Sequence, residues 1–194
     1  MPKLKCCGCK ERFDADTMVK LPAGNFHSMN CAYKYAQVKQ ERARARLKAK
    51  AGKEKRATDK ATRDRLKSRG DWVKEAQTEF NKFIRMRDHN EPCISCQKHH
   101  SGQYHAGHYL TTGAHPELRF NENNCAKQCQ PCNTHLSGNL IRYRENLIVK
   151  IGVAAVEELE GPHPLDKLSI DDIKAIKQKY RTKTRELQRS IDQC

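Results

Sequence analysis

Two Cys-x2-Cys pairs, Cys93/Cys96 and Cys129/Cys132, enclose a run of imidazoles and amides: His105, His108, Asn121, Asn123 and Asn124 around Gly107. Each pair is a knuckle that presents two sulfurs to one tetrahedral zinc ion, so the four cysteines read as a structural zinc clamp. A purely structural zinc loop has no need of the polar series between the pairs, whereas phosphodiester hydrolysis does. That reaction needs a base to take a proton from water, and an imidazole titrates close to working pH. It also needs a divalent cation such as Mg2+ near the departing 3′-oxygen. An amide that fixes the loop carrying the base would complete the set. A histidine simply hydrogen-bonded to backbone is the plainer reading for any one of these rings, and it stays open for His105 and for His135 beyond the clamp.

A second set, Cys6-x2-Cys9 with His27-x3-Cys31, has the spacing of a Cys3His zinc knuckle. One zinc can hold together a segment too small to fold alone. Cys7 is an alternative to Cys6, though Cys7-x-Cys9 makes the poorer chelate loop. Of the 10 cysteines, Cys7, Cys125 and Cys194 are left over as small apolar or exposed residues. The amino terminus lacks the apolar stretch of a signal peptide and no apolar run is long enough to span a membrane. Thiolates on metal in a reducing cytosol are therefore expected, rather than a disulfide framework.

The elements that must position these groups are sparse in apolar residues. Only 37% of the 194 residues are hydrophobic and 31% are charged, which leaves room for one modest domain with appendages and makes metal staples useful. A formal charge of +15 points to a polyanionic partner, because clustered Lys and Arg release counterions from phosphates. Residues 36–70 carry 14 Lys or Arg against 4 Asp or Glu. Their composition favours helix, but no apolar stripe is present and Gly52 sits in the middle. The expectation is a partly frayed basic helix along a nucleic-acid backbone, with a charged linker that orders on binding as the alternative.

From Asp71, taken as an N-cap, Trp72, Val73, Ala76, Phe80, Phe83 and Ile84 recur at helical spacing as a core stripe, ending near Asp88. Residues 104–110 and 117–120 are expected to pair as a small hairpin. Helices are expected over 139–151 and 153–160. Ser169, with Asp172 three residues on, should cap a last helix. In it Ile173, Ile176, Tyr180, Leu187 and Ile191 form a near-heptad seam, suited to the core or to a second subunit.

The order His, Asn, then Cys-x2-Cys opening a helix resembles the His-Asn-His (ββα-metal) endonuclease superfamily, in whose zinc-clamped members the asparagine stands five residues before the first cysteine of the second pair. Asn124 stands five before Cys129. Where that superfamily has a metal-binding histidine, this chain has Asn133, with His135 two further on. A closer similarity is to the NinG (Rap) recombination proteins of lambdoid phages. It is carried by His105-Ala-Gly-His108-Tyr109, by Pro116-Glu-Leu-Arg-Phe-Asn121 and by Cys129-Gln-Pro-Cys132-Asn133-Thr-His135-Leu-Ser-Gly138-Asn139. It extends upstream through Asp71-Trp72 to Cys93-Ile-Ser-Cys96, and also covers Glu160-Gly-Pro162 and Lys179-Tyr-Arg181.

That resemblance implies a structure-selective DNA endonuclease acting on Holliday junctions and D-loops in the host bacterial cytoplasm. Its partners would be branched DNA and other phage recombination proteins. Carried over, His108 is the general base, Asn124 orients the base strand and His105 contacts the cation or phosphate. Asn133, His105, His135 and Asn139 are candidate ligands for Mg2+ or Mn2+. Symmetrical cutting needs two active sites, which would suit a homodimer.

The expected fold is mainly α with small β. It comprises an N-terminal zinc knuckle (1–35), a long basic helix or linker (36–70), a zinc-clamped His-Asn-His-like nuclease core (71–152) and a C-terminal helical region (153–194). The reading from a different class is a zinc-dependent DNA-binding recombination mediator without catalysis, which explains the charge and cysteines equally well and gains support from Asn133. A zinc-containing RNA-associated protein is a third, weaker reading.

Overall fold

The computed structural model describes residues 2–165 and 167–193, so Cys194 lies outside the described residues. The fold is mainly helical with three two-stranded antiparallel sheets, and it divides into two compact units, 1–66 and 67–194.

In the first unit, β1 (Lys3–Lys5) pairs with β2 (Arg12–Asp14) and β3 (Val19–Leu21) with β4 (Gly24–Phe26). These hairpins are too short to be stable alone. They close over a small core of Cys6, Met18, Phe26 and Ala32. From that core α1 (Met29–Leu66) runs for 38 residues. The expected fraying is not present: the helix passes unbroken through Gly52, around which a side chain would meet only open space. A sequence so rich in Ala, Lys, Arg and Glu needs little tertiary packing to stay helical, since per-residue propensity sums over a long window.

In the second unit, α2 (Arg69–Arg87) and α5 (Ile170–Ile191) form the main helical layer. Phe80, Phe83 and Ile84 of α2 bury themselves against Tyr180, Ile176 and Leu187 of α5, while Trp72 and Ala76 meet Ile173. The seam of α5 is thus used within the chain, apart from Ile191, which is exposed.

The start of α2 corrects the sequence reading. Ser68, not Asp71, is the N-cap: its hydroxyl accepts from the Asp71 N–H at 3.2 Å, and the Asp71 carboxylate accepts the Ser68 N–H at 3.0 Å. This is a reciprocal capping box that satisfies two free donors at once. The expected box at Ser169 and Asp172 is present, with distances of 3.1 and 2.9 Å.

The expected hairpin is also revised. β5 (Tyr104–His108) pairs not with residues 117–120 but with β6 (Cys125–Cys129), in the register Tyr104↔Cys129, His105↔Gln128, Gly107↔Ala126 and His108↔Cys125. Pro116 opens a 3-10 turn through Leu118 instead, and Leu118 is buried to anchor the intervening loop. Two helices follow the second cysteine pair, α3 (Leu140–Ile151) and α4 (Val153–Glu160). Tyr143 and Leu147 of α3 and Val156 and Leu159 of α4 share a core with Ala126 of β6. The Tyr143 hydroxyl donates to the Gly107 carbonyl at 2.8 Å, which ties α3 to β5.

Candidate metal and nuclease site

The four cysteines of the second unit converge: Cys93, Cys96, Cys129 and Cys132 place their sulfurs within 4.8 Å of one another. The Cys96–Cys129 separation of 3.9 Å is close to the ~3.8 Å edge of a tetrahedron with 2.3 Å zinc–sulfur bonds. The residues fit a zinc ion. Burial opposes ionisation of Cys93, yet N–H groups of Cys96 and Cys129 draw its thiol below the ordinary value. His100 lies outside the four, with Nε2 3.2 Å from the Cys96 sulfur. It went unnoticed in the sequence, although it stands only four residues after Cys96.

The first unit gathers Cys6, Cys9, His27 and Cys31 in the same way, and the ring nitrogen aimed at the Cys9 sulfur, at 3.3 Å, is Nδ1 of His27. Phe13 stacks on that ring with centroids 4.6 Å apart. Burial works against charge on Cys6, but N–H donors led by His27 bring its thiol down to about 5. Cys7 stays outside the cluster, which resolves the alternative in favour of Cys6.

The clamp holds β6 in place, and β6 in turn fixes β5. All five β6 residues are buried, including Lys127 and Gln128. Lys127 is tolerated there because its backbone N–H meets Asp88 at 3.0 Å and its ammonium meets the His89 carbonyl at 2.9 Å. Burial would raise the Asp88 carboxyl, but Arg87 and Lys150 hold it below its ordinary value. Gln128 donates to the Ser95 hydroxyl and the Gly138 carbonyl, both at 2.6 Å. Its side chain lies over Gly107, where any Cβ would run into the amide oxygen. Glycine is required in the His-Ala-Gly-His stretch for that close approach.

Asn124 is fully buried. Its Oδ1 accepts from the Leu110 N–H at 2.8 Å, and its Nδ2 donates to the carbonyls of Leu110 at 3.0 Å and Leu118 at 3.3 Å. Backbone partners of both kinds fix which end of the amide is oxygen. The side chain therefore cross-links the loop after β5 to the strand before the clamp.

That loop returns to His108 through Arg119, whose carbonyl lies 3.0 Å from Nε2 of the imidazole. A carbonyl can only accept, so Nε2 carries the proton and Nδ1 holds a lone pair. Burial pushes the His108 pKa below its ordinary value, more than the Arg119 carbonyl raises it, so the ring is neutral near pH 7. Nδ1 faces the Cys125 sulfur at 3.8 Å, and burial pushes that thiol far up, leaving it protonated. Cys125 is thus a ring neighbour that sequence reading had set aside.

The other candidates separate. His105 meets Asn133 just past the clamp, with its Nδ1 2.9 Å from the Asn133 amide nitrogen. His135 is exposed in the turn Pro131–His135. Asn139 takes a left-handed conformation and directs its amide to the Cys132 sulfur at 3.8 Å, beside the clamp. Strand alternation places His105 and His108 on opposite faces of the ribbon.

A cluster of four thiols that could hold a metal ion, a strand–strand–helix order and two histidines on the first strand define a protein with a polar site built on a short β ribbon. Comparison with known families identifies the particular group: the model of the bacteriophage lambda NinG protein matches residues 1–190, and the chain belongs to the NinG family. It is 51% identical to protein ninG of Escherichia phage lambda over 125 residues, covering 64% of this chain and 61% of that protein. It is 50% identical over the same length to protein ninG of Salmonella phage P22, covering 62% of that protein. The matched stretch thus spans about three fifths of those relatives' length. No solved structure matches.

Proposed function

We propose that this chain is a metal-dependent endonuclease that cuts branched DNA recombination intermediates, with His108 as the general base. The observation that carries the reading is the state of His108. Its ring is kept neutral, with the tautomer set by the Arg119 carbonyl, at the end of β5 and against a loop that the buried Asn124 holds to the start of β6. A base must be unprotonated to act, and a fixed orientation is what makes its proton transfer efficient.

His105 and Asn133 are the pair suited to a divalent cation, since an amide oxygen is an ordinary ligand for Mg2+ or Mn2+ once the Asn133 amide turns its oxygen outward, and an imidazole nitrogen can join it on a softer ion than Mg2+. Such a cation, when bound, would neutralise charge on the departing oxygen. Selectivity for branches would come from where basic surfaces lie, because backbone contacts carry no sequence information. The +15 charge and the exposed cations of α1 supply those surfaces.

The test is cleavage of a synthetic four-way junction by zinc-loaded protein, with Mg2+, Mn2+ or neither. The expected result is cation-dependent cutting that His108→Ala lowers by about 100-fold or more, the usual share of a positioned base. Cutting at the wild-type rate by that variant would remove His108 from the role.

A second reading, a zinc-dependent DNA binder without catalysis, has one specific observation in its favour. Both ring nitrogens of His108 have partners within the protein, and the second faces a thiol rather than open space. Tight junction binding with no cutting in any divalent cation would select it.

A further inference from the structure

A groove of about 890 Å³ opens between the amino-terminal knuckle and the first turns of α1. Its walls are of two kinds. Tyr35 and Val38 supply apolar surface, with Val38 exposed and Tyr35 half-buried against Phe26. Lys34, Lys39, Arg42 and Arg46 supply positive charge along the same rim. Among the described residues, no carboxylate lines the groove.

The groove continues into an ordered row of cations. At 100° per residue, Lys39, Arg42, Arg46, Lys53, Arg56 and Lys60 fall on one face of α1, spaced 3, 4, 7, 3 and 4 residues apart. This is the spacing of a coiled-coil seam, but with charge in place of leucine, so a second copy of the helix would be repelled from it. The row is about 32 Å long at 1.5 Å per residue. Tyr35 and Val38 lie on that same face, at the knuckle end of the row.

We propose that the first unit is a binding site for an unpaired nucleic-acid strand: a base enters the groove against Tyr35 and Val38, and the following phosphates run along the cationic face of α1. Charge alone would not select a single strand. A duplex carries the denser charge and would bind such a row at least as well. Bases in a duplex are stacked on one another, however, and cannot enter a groove with an aromatic wall. In an unpaired strand they are free to do so, and base–aromatic stacking tolerates any sequence. The site is independent of the cutting chemistry proposed for the second unit, and it would direct the protein toward DNA with an unpaired segment.

The test is fluorescence anisotropy of the full, zinc-loaded chain without added Mg2+ or Mn2+, so that no cutting intervenes. Three probes are compared at one salt concentration: a thymidine strand, an abasic strand with the same number of phosphates, and a blunt duplex. The thymidine strand should bind on the order of 10-fold more tightly than the abasic strand. Tyr35→Ala should erase that advantage, and Tyr35→Phe should keep it.

Because Tyr35 also touches the knuckle core, zinc content is measured in each variant. Val38→Asp, at an exposed position, provides a second route and should likewise erase the advantage. Arg42→Ala combined with Arg46→Ala should weaken all strands and flatten their salt dependence. Equal binding of thymidine and abasic strands by the wild type would overturn the proposal. So would an advantage that survives Val38→Asp.

Discussion

Replacing Asn124 by aspartate changes a single NH2 group to oxygen and leaves the shape intact, which makes it a sharp probe of the loop cross-link. The acceptor for the Leu110 N–H survives, but the atom that donated to both the Leu110 and Leu118 carbonyls becomes a hydroxyl with a single proton, able to donate to only one of them, and if ionised it would face both as a second acceptor. In a site with no solvent exposure the new carboxyl cannot ionise, so it stays protonated in the folded state while the unfolded chain ionises above about pH 3.9. The sign follows: with the folded pKa raised, the unfolded chain holds fewer protons, and the variant loses stability as pH rises.

At about 1.4 kcal/mol per pH unit, the penalty from ionisation is about 2 kcal/mol at pH 5.5 and about 4 kcal/mol at pH 7. Asn124→Ala is the control. It leaves the N–H and carbonyl of Leu110 without their partner, while the Leu118 carbonyl keeps the Asn121 N–H at 3.1 Å, and should cost about 3 kcal/mol at both pH values. Urea unfolding followed by the single tryptophan, Trp72, which is buried in the same unit, measures both, each against wild type at the same pH. A deficit for Asn124→Asp that does not grow by about 2 kcal/mol between pH 5.5 and pH 7 would refute the dry, fully bonded environment assigned to this side chain.

Metal analysis should find two zinc ions per chain, falling to one in Cys132→Ala with the amino-terminal site still filled; retention of two would mean that the four-thiol clamp is not the second site. Gly107→Ala should destabilise the second unit by about 2 kcal/mol, because the buried Gln128 must give up its bonds to Ser95 and Gly138 to make room, and a neutral result in urea unfolding would contradict that packing. Hydrogen bonds from Arg144 and Tyr109 hold the Glu160 carboxyl down at about 2. Its folded pKa is depressed, so its contribution is complete above the ordinary carboxylate value of 4.5 and is lost as pH falls toward about 2. Glu160→Gln should therefore flatten the acid limb of the unfolding curve in that window, and an unaltered limb would count against the triad.

What the sequence made legible was local. Cysteine spacing encodes chelation within one turn of backbone, so each half of both candidate metal clusters, and the preference for Cys6 over Cys7, follows from a few neighbouring residues. The α2 stripe was legible because its apolar positions repeat with the period of the helix that buries them. The α2 cap was present in the residues, Ser68 followed three positions later by Asp71, and was obscured by Gly70 between them. β6 was hidden for a different reason. Cys-Ala-Lys-Gln-Cys shows no alternation, because Lys127 and Gln128 are buried against partners at Asp88, His89 and Ser95, more than thirty residues away. Without β6, the only nearby segment with strand-like composition was 117–120, and the pairing was misassigned.

The correct pairing then constrains the chemistry in a way the motif alone does not. In a ribbon, residues three apart point to opposite faces. His105 shares its face with Gly107 and Gln128 and reaches Asn133 beyond the clamp, while His108 shares its face with Ala106 and Cys125 and packs beside Phe80, with ring centroids 5.9 Å apart. A histidine wedged next to an α2 phenylalanine with one nitrogen on a backbone carbonyl is in a poor place to hold a hydrated cation. A histidine beside an amide at the start of the following helical turn is in a better one. If a phosphodiester is cut here, proton transfer and cation binding must fall to different histidines, and the strand that carries both must meet the scissile phosphate where each face can reach it.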